Sequence, residues 1–327
     1  MMSSYRMLGF LAAVGLVTAV GCSAAAPGGL ASSTVPAAHR SGAARSWIDP
    51  QASRENLAYV ADALSNALFI FTYSPNAMRY VGYVALGSTP LAECVDKAQD
   101  VWVVTSSSLL LEFAHGGTTP IATIGTGSLM PAGCSVDTAS GDLAVAGADF
   151  NGGIGAAFIY KKAKGVPIDV VDDQYELSDC AYDGKGTLYA DRDVTTIDLS
   201  VDVLPKGSKT FQTVTTNQTF RRPGGMQWAA PYLVVGDSDN NVAYRFTVST
   251  NHISVADSIT LEQTSRVGLF AIYRKRIVAP QSSVDDVANG LLSIYHYPQG
   301  GTRISTIGGM SLPVAVAISL GPKGSSL

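Results

Sequence analysis

The sequence predicts an all-β protein, a six-bladed β-propeller with four antiparallel strands per blade, and three observations carry that reading. One alternating apolar segment recurs six times: Leu57–Asp62 (LAYVAD), Val101–Ser106, Leu143–Ala148, Leu188–Asp193, Tyr232–Asp237 and Lys275–Pro280, with starts 44, 42, 45, 44 and 43 residues apart. Each segment is followed by two more alternating runs and then a short run rich in Cys or Gly, so about 44 residues hold four strands, the content of a propeller blade. Finally, the first repeat has no inner strand before it, and the last apolar run, Pro313–Ser319 (PVAVAIS), has no repeat after it. Pairing that run into blade one closes the ring and removes two exposed sheet edges.

In chain order, Met1–Cys22 precedes the fold. Arg6 supplies a short positive region, Met7–Val20 is an apolar run of 14 residues, and Ala19-Val20-Gly21-Cys22 ends it. A run that short does not span a bilayer, which takes about 20 residues, and its flanks are those of a secretory signal. It resembles the bacterial lipoprotein signal, with Ala19 where Leu is commoner. The resemblance implies that Cys22 becomes a lipidated first residue in the cell envelope. Ser23, rather than Asp, at the next position implies the outer membrane in a Gram-negative cell. Residues 23–50 are rich in Ala, Ser, Gly and Pro and read as a flexible tether that packs on nothing. The propeller is expected over 51–320 and a short tail over 321–327.

The inner strands are expected at Leu91–Asp96, Ala132–Asp137, Ser178–Asp183, Gly224–Ala229, Val267–Tyr273 and Pro313–Ser319. Turns such as Asp183-Gly184-Lys185-Gly186 supply the positive φ and side-chain bonding of tight hairpins. Val267–Tyr273 lacks such a turn and is placed on the period alone, with Leu269 and Ile272 expected to bury against neighbouring sheets. The run Pro131-Ala132-Gly133-Cys134-Ser135-Val136-Asp137 followed by Gly141-Asp142-Leu143-Ala144-Val145-Ala146, with Leu188-Tyr189-Ala190-Asp191 and Tyr59-Val60-Ala61-Asp62, resembles the NHL and TolB-like six-bladed propellers. That resemblance implies the fold and no particular activity.

Net charge is −4, from 22 basic and 26 acidic residues, so no basic field for a nucleic acid exists. Cys94, Cys134 and Cys180 fall on successive inner strands, and buried free thiols, one disulfide and a soft-metal site are all open. Strand alternation favours free thiols: Cys134 and Cys180 lie three residues before a strand-ending Asp and Cys94 two before Asp96, so Cys94 should face the other way. Asp96, Asp137 and Asp183 read as turn initiators. Glu93 and Asp179 are acids placed to line the channel mouth, and Arg221, beside Gly224-Gly225 and Trp228, is placed to edge a ligand pocket. Of four histidines, His39 is in the tether and His115, His252 and His296 read as surface residues of outer strands or hairpins. No serine-nucleophile elbow, phosphate loop or clustered metal spacing is present. The sequence therefore reads as a lipid-anchored extracytoplasmic scaffold, without cofactor or metal, that binds a protein, glycan or small ligand. The competing expectation is a lactonase- or lyase-type enzyme whose metal is held by Glu93, Asp179 and backbone groups.

Overall fold

A computed structural model of the chain describes residues 34–35, 45–149, 154–171, 175–192, 198–249, 252–262, 264, 266–283 and 286–322. The expected signal with Cys22, most of the expected tether including His39, and residues 323–327 lie outside them.

Six antiparallel sheets form the six blades. Blade two is built from Pro90–Val95, Val101–Thr105, Leu109–Phe113 and Pro120–Gly125, running from the channel outward. Blade three holds Leu129–Val136, Leu143–Asp149, Ile154–Tyr160 and Ile168–Val171, and blade four holds Leu177–Tyr182, Leu188–Arg192, Asp198–Leu204 and Gln212–Thr219. Blade five holds Pro223–Ala229, Tyr232–Asp237, Val242–Ser249 and His252–Thr260. The ring closes as the sequence predicts. Pro313–Ser319 pairs antiparallel with Leu57–Asp62, from Leu57 opposite Ser319 to Ala61 opposite Ala315, and Ala67–Ser74 and Ala77–Ala85 complete blade one.

The core is a set of layers, one in each seam between neighbouring blades. Tyr59, Leu68 and Ile70 of blade one meet Val101, Val103 and Phe113 of blade two, while Val60, Phe69 and Phe71 turn the other way onto Val278, Ile294 and Ile307 of blade six. Alternate residues of each strand thus feed two different cores, which is why every residue of LAYVAD is buried. A strand covered on both faces has no solvent side to carry charge, so the second strands read as apolar runs.

Two elements differ from the sequence expectation. The inner strand of blade six is broken into Arg266–Val267 and Ala271–Tyr273, both pairing with Arg276–Ser283 ahead of Asp286–His296 and Gly300–Met310. Between them Leu269 leaves its own sheet: its N–H donates to the Val314 carbonyl at 2.8 Å and its carbonyl accepts from Val316 N–H at 3.0 Å. Its side chain is consequently half-buried at the channel, and Phe270, 6 % exposed, takes the burial expected of Leu269. The expected tether, in turn, is attached at two points. Val35 is 1 % exposed, packs with Phe71 and Met310, and donates its N–H to Gly308 at 3.0 Å on the outer edge of blade six. Trp47–Ile48 adds a fifth strand to blade one, opposite Tyr83 and Gly82. Val35, Trp47 and Ile48 are large apolar residues within a segment made mostly of small and polar ones, and both sites are outer sheet edges with unpaired backbone groups.

Removing Pro313–Leu327 deletes the inner strand of blade one and is expected to abolish cooperative urea unfolding. Val35→Ala is expected to cost about 1–2 kcal/mol through its lost buried methyl groups. An unchanged urea midpoint for Val35→Ala would show that the edge of blade six is held without it.

Candidate functional site

Each innermost strand has a sheet partner on one side only, so its other edge must find partners across the channel wall. Side chains provide most of them. From blade three to four, Ser135 Oγ accepts the Tyr182 N–H at 2.9 Å. From blade four to five, Asp179 Oδ2 accepts the Met226 N–H at 2.7 Å while Oδ1 accepts the Cys180 N–H at 2.8 Å. From blade five to six, the Gln227 amide accepts from Ile272 N–H at 2.5 Å and donates to the Ile272 carbonyl at 3.1 Å. Blade six reaches blade one through Leu269, as above. Gly133 and Gly225 permit this closeness, since a Cβ on the first would overlap the Asp179 carboxylate and on the second the backbone of Leu269 and Phe270.

Blades two and three are joined covalently by a Cys94–Cys134 disulfide with Cα atoms 5.8 Å apart, leaving Cys180 as a buried free thiol. This corrects the expectation of free thiols. Strand alternation compares residues within one sheet, but adjacent blades meet face to face, so a residue pointing forward from blade two meets one pointing backward from blade three. Opposite phase is therefore the condition for contact. Cys94 packs into the seam with Trp102 and Val145, the seam that Cys134 faces. Cys180, in phase with Cys134, faces the next seam, toward Ala144 of blade three.

Between blades one and two stands Glu93. Both its carboxylate oxygens are buried and neither makes a hydrogen bond of normal geometry, the Ala61 and Ala317 N–H groups approaching them only loosely. Burial pushes its carboxyl well above the usual range, against a smaller opposing effect of the Ala61 and Ala317 backbone groups. Burial likewise pushes Asp179 up to about 7, although two N–H groups favour its charged form.

Above these joints lies a cavity of about 460 Å³ at the end of the channel where the inner strands run out into their turns. Glu93 and Asp179 are in its lining, with Leu269 and Phe270 from blade six. Toward the turns it is bordered by Asp96, Tyr182, Asp183, Trp228 and Tyr273, and no Lys, Arg or His among the described residues lines it. Trp228 is held by stacking on Tyr189, centroids 5.9 Å apart and planes 6° apart. Asp96 and Asp183 have the turn role expected: Asp96 accepts the Asp100 N–H, and Asp183 accepts those of Lys185 and Thr187.

Arg221 is elsewhere. It is exposed, precedes Pro223–Ala229, and gives its backbone N–H to Asp237 at 3.1 Å, whereas Trp228 lies near the end of that strand. Seven extended residues separate the two by roughly 20 Å, so they do not share a pocket. His115 is half-buried rather than a free surface group: its ring nitrogens meet Ser319 Oγ at 2.6 Å and the Glu55 carbonyl at 3.1 Å, and burial lowers its pKa. Asp96, Asp100 and Glu112 bring carboxylate oxygens within 4.8 Å of one another, the one such grouping among the described residues.

The sequence reading missed Gln227, Tyr182 and Tyr273 as channel residues. Their signal is positional, since all three are at or near the end of an inner strand. It also missed the Asp that ends the second strand. Asp62 accepts the N–H groups of Ser65, Ser311 and Leu312, Asp237 those of Arg221 and Arg222, and Asp191 that of Asp179.

No family model matches the sequence, and no curated protein matches it. Solved structures do match in fold. A chain from the crystal structure of a nidogen/laminin complex superposes with a TM-score of 0.66 at 13 % identity, covering 81 % of this chain and 99 % of that one. A protein of unknown function from Bacteroides caccae gives a TM-score of 0.62 at 11 % identity, with the same coverage. These likenesses establish the propeller and leave the ligand to be argued from the site.

The Asp179 carboxyl yields a signed pH dependence. Its usual pKa is 3.8 and its folded value about 7. Between about pH 4 and 7 the folded state therefore holds a proton that the unfolded state has released, and stability falls as pH rises through that window, then levels off above it. Asp179→Asn is expected to flatten the fall without abolishing it, because Glu93 acts in the same direction. Urea midpoints at pH 4.5 and 7.5 measure the difference, and an unaltered slope would place the proton elsewhere.

Proposed function

We propose that the chain is a lipid-anchored extracytoplasmic propeller acting as a binding scaffold, with the channel mouth as its binding face. The cavity carries this reading. Asp96, Asp179 and Asp183 are occupied in holding backbone, while Trp228, Tyr182 and Tyr273 stand in the lining as apolar and aromatic contact surface, the composition of a ligand pocket. The Cys94–Cys134 disulfide supports export, because such bonds persist in oxidising compartments. The signal-like Met1–Cys22 supports a lipid anchor at Cys22. One of the matching structures comes from a crystallised complex of two named proteins, which is compatible with a role in recognition.

The enzymatic alternative has one observation in its favour, the buried Glu93 oxygens that lack a hydrogen bond of normal geometry. A metal shared with Asp179 is disfavoured because both Asp179 oxygens already accept backbone N–H groups. A stoichiometric divalent ion in the purified full chain would favour the enzyme. For the anchor, Cys22→Ala is expected to move the protein from the membrane to the soluble fraction or to block its maturation. Correctly processed Cys22→Ala protein that still sediments with membranes would refute it.

A further inference from the structure

We infer that the channel mouth takes an organic cation, an amine or guanidinium carried on a small apolar body, with its charge at Glu93 and its body against Trp228. The inference rests on the mouth being the binding face and names what that face selects. Four carboxylate residues line the cavity, Glu93, Asp96, Asp179 and Asp183, and no basic side chain among the described residues accompanies them. A phosphate or carboxylate entering there meets four acids and, for donors, only neutral groups such as Thr138, Tyr182 and Trp228, whereas a cation meets complementary charge.

The four acids are not equivalent. Asp96, Asp179 and Asp183 already accept well-formed backbone hydrogen bonds, but the buried Glu93 oxygens have only the loose approach of the Ala61 and Ala317 N–H groups. A buried acceptor with only loose contacts is poorly satisfied, and a ligand N–H⁺ is a stronger, charged donor for it. Tyr182 and Trp228 add aromatic faces of the kind that attract ammonium and guanidinium groups, and stacking on Tyr189 holds Trp228 in place. A cavity of about 460 Å³ has the size of a small-molecule site and far exceeds a bare metal ion.

Burial favours the acid form of Glu93, and from that form the binding step is an exchange: the cation enters, the carboxyl O–H bond breaks, and the proton leaves to solvent as the carboxylate pairs with the ligand. Affinity then rises with pH.

The experiment is calorimetry on the full chain in detergent with spermidine, agmatine and tetraethylammonium, and with malate, glucose and Ca²⁺ as anionic, neutral and metal controls. Two buffers of different ionisation enthalpy report the protons released. At least one organic cation is expected to bind at pH 7 with proton release, Glu93→Gln to weaken it at least tenfold and abolish the release, and Trp228→Ala to weaken it while the release persists. Equal binding to Glu93→Gln, binding without proton release, or failure of every cation would overturn the inference. Binding of malate or glucose alone would overturn it while leaving the scaffold reading intact. Stoichiometric Ca²⁺ in place of the amines would overturn both in favour of a metal site. Should Glu93→Gln not fold, proton release by the parent protein and the Trp228→Ala comparison still decide the matter.

Discussion

The free inner edge of the innermost strands is the constraint on which this structure depends. A four-stranded blade pairs its own second, third and fourth strands, but around the axis six edges approach one another without being able to form one continuous sheet. Five of the six seams resolve the problem, each with its own device. Ser135, Asp179 and Gln227 reach across with polar side chains, Leu269 breaks out of its own strand to pair backbone with Val314 and Val316, and Cys94–Cys134 bridges covalently. Because these devices face the channel, the residues that close the ring also wall the cavity.

The outer ends of the same strands are held by a second, more regular device. An Asp at or next to the end of the second strand folds back onto N–H groups at or just before the start of its own inner strand: Asp62 onto Ser311 and Leu312, Asp237 onto Arg221 and Arg222, Asp191 onto Asp179. In blade one the two partners lie about 250 residues apart in the chain, and Asp62 there fixes the C-terminal strand against the N-terminal repeat. A fully buried carboxylate tolerates that position because charge-assisted bonds to backbone amides replace its hydration. The LAYVAD-like segment is thus a packing strand that ends in a clamp for the strand beside it.

That double role explains what was legible in the sequence. Six blades and the closure by Pro313–Ser319 follow from a period and an unpaired terminal run, both properties of local pattern. The cysteines were misread because strand alternation describes one sheet, whereas a contact between blades joins opposite faces of two sheets. Leu269 was misread because a period locates a strand without showing where it departs from its ladder. Val35 and Trp47–Ile48 were read as tether because three apolar residues in a small-residue segment carry no periodicity, although each has a sheet edge to cover. At the site, Glu93 and Asp179 were identified as acids in unusual inner-strand positions. Their difference depends on which backbone N–H groups lie within reach, and that is set by neighbours 47 residues away for Asp179.

Those two acids show how structure and function divide within the ring. Asp179 has its hydrogen bonds, and its carboxylate is part of the wall as much as the Gln227 amide is. Glu93 occupies the corresponding joint between blades one and two with only the loose approach of the Ala61 and Ala317 N–H groups, although Ser, Gln or a disulfide closes other joints with well-formed bonds. A position where the local rule is broken, in a fold that satisfies it at neighbouring seams, marks a place where the protein retains an unfavourable group for some reason other than stability. In a cavity lined by acids and aromatic rings, with no basic side chain among its described residues, the reason that fits is a donor that arrives from outside.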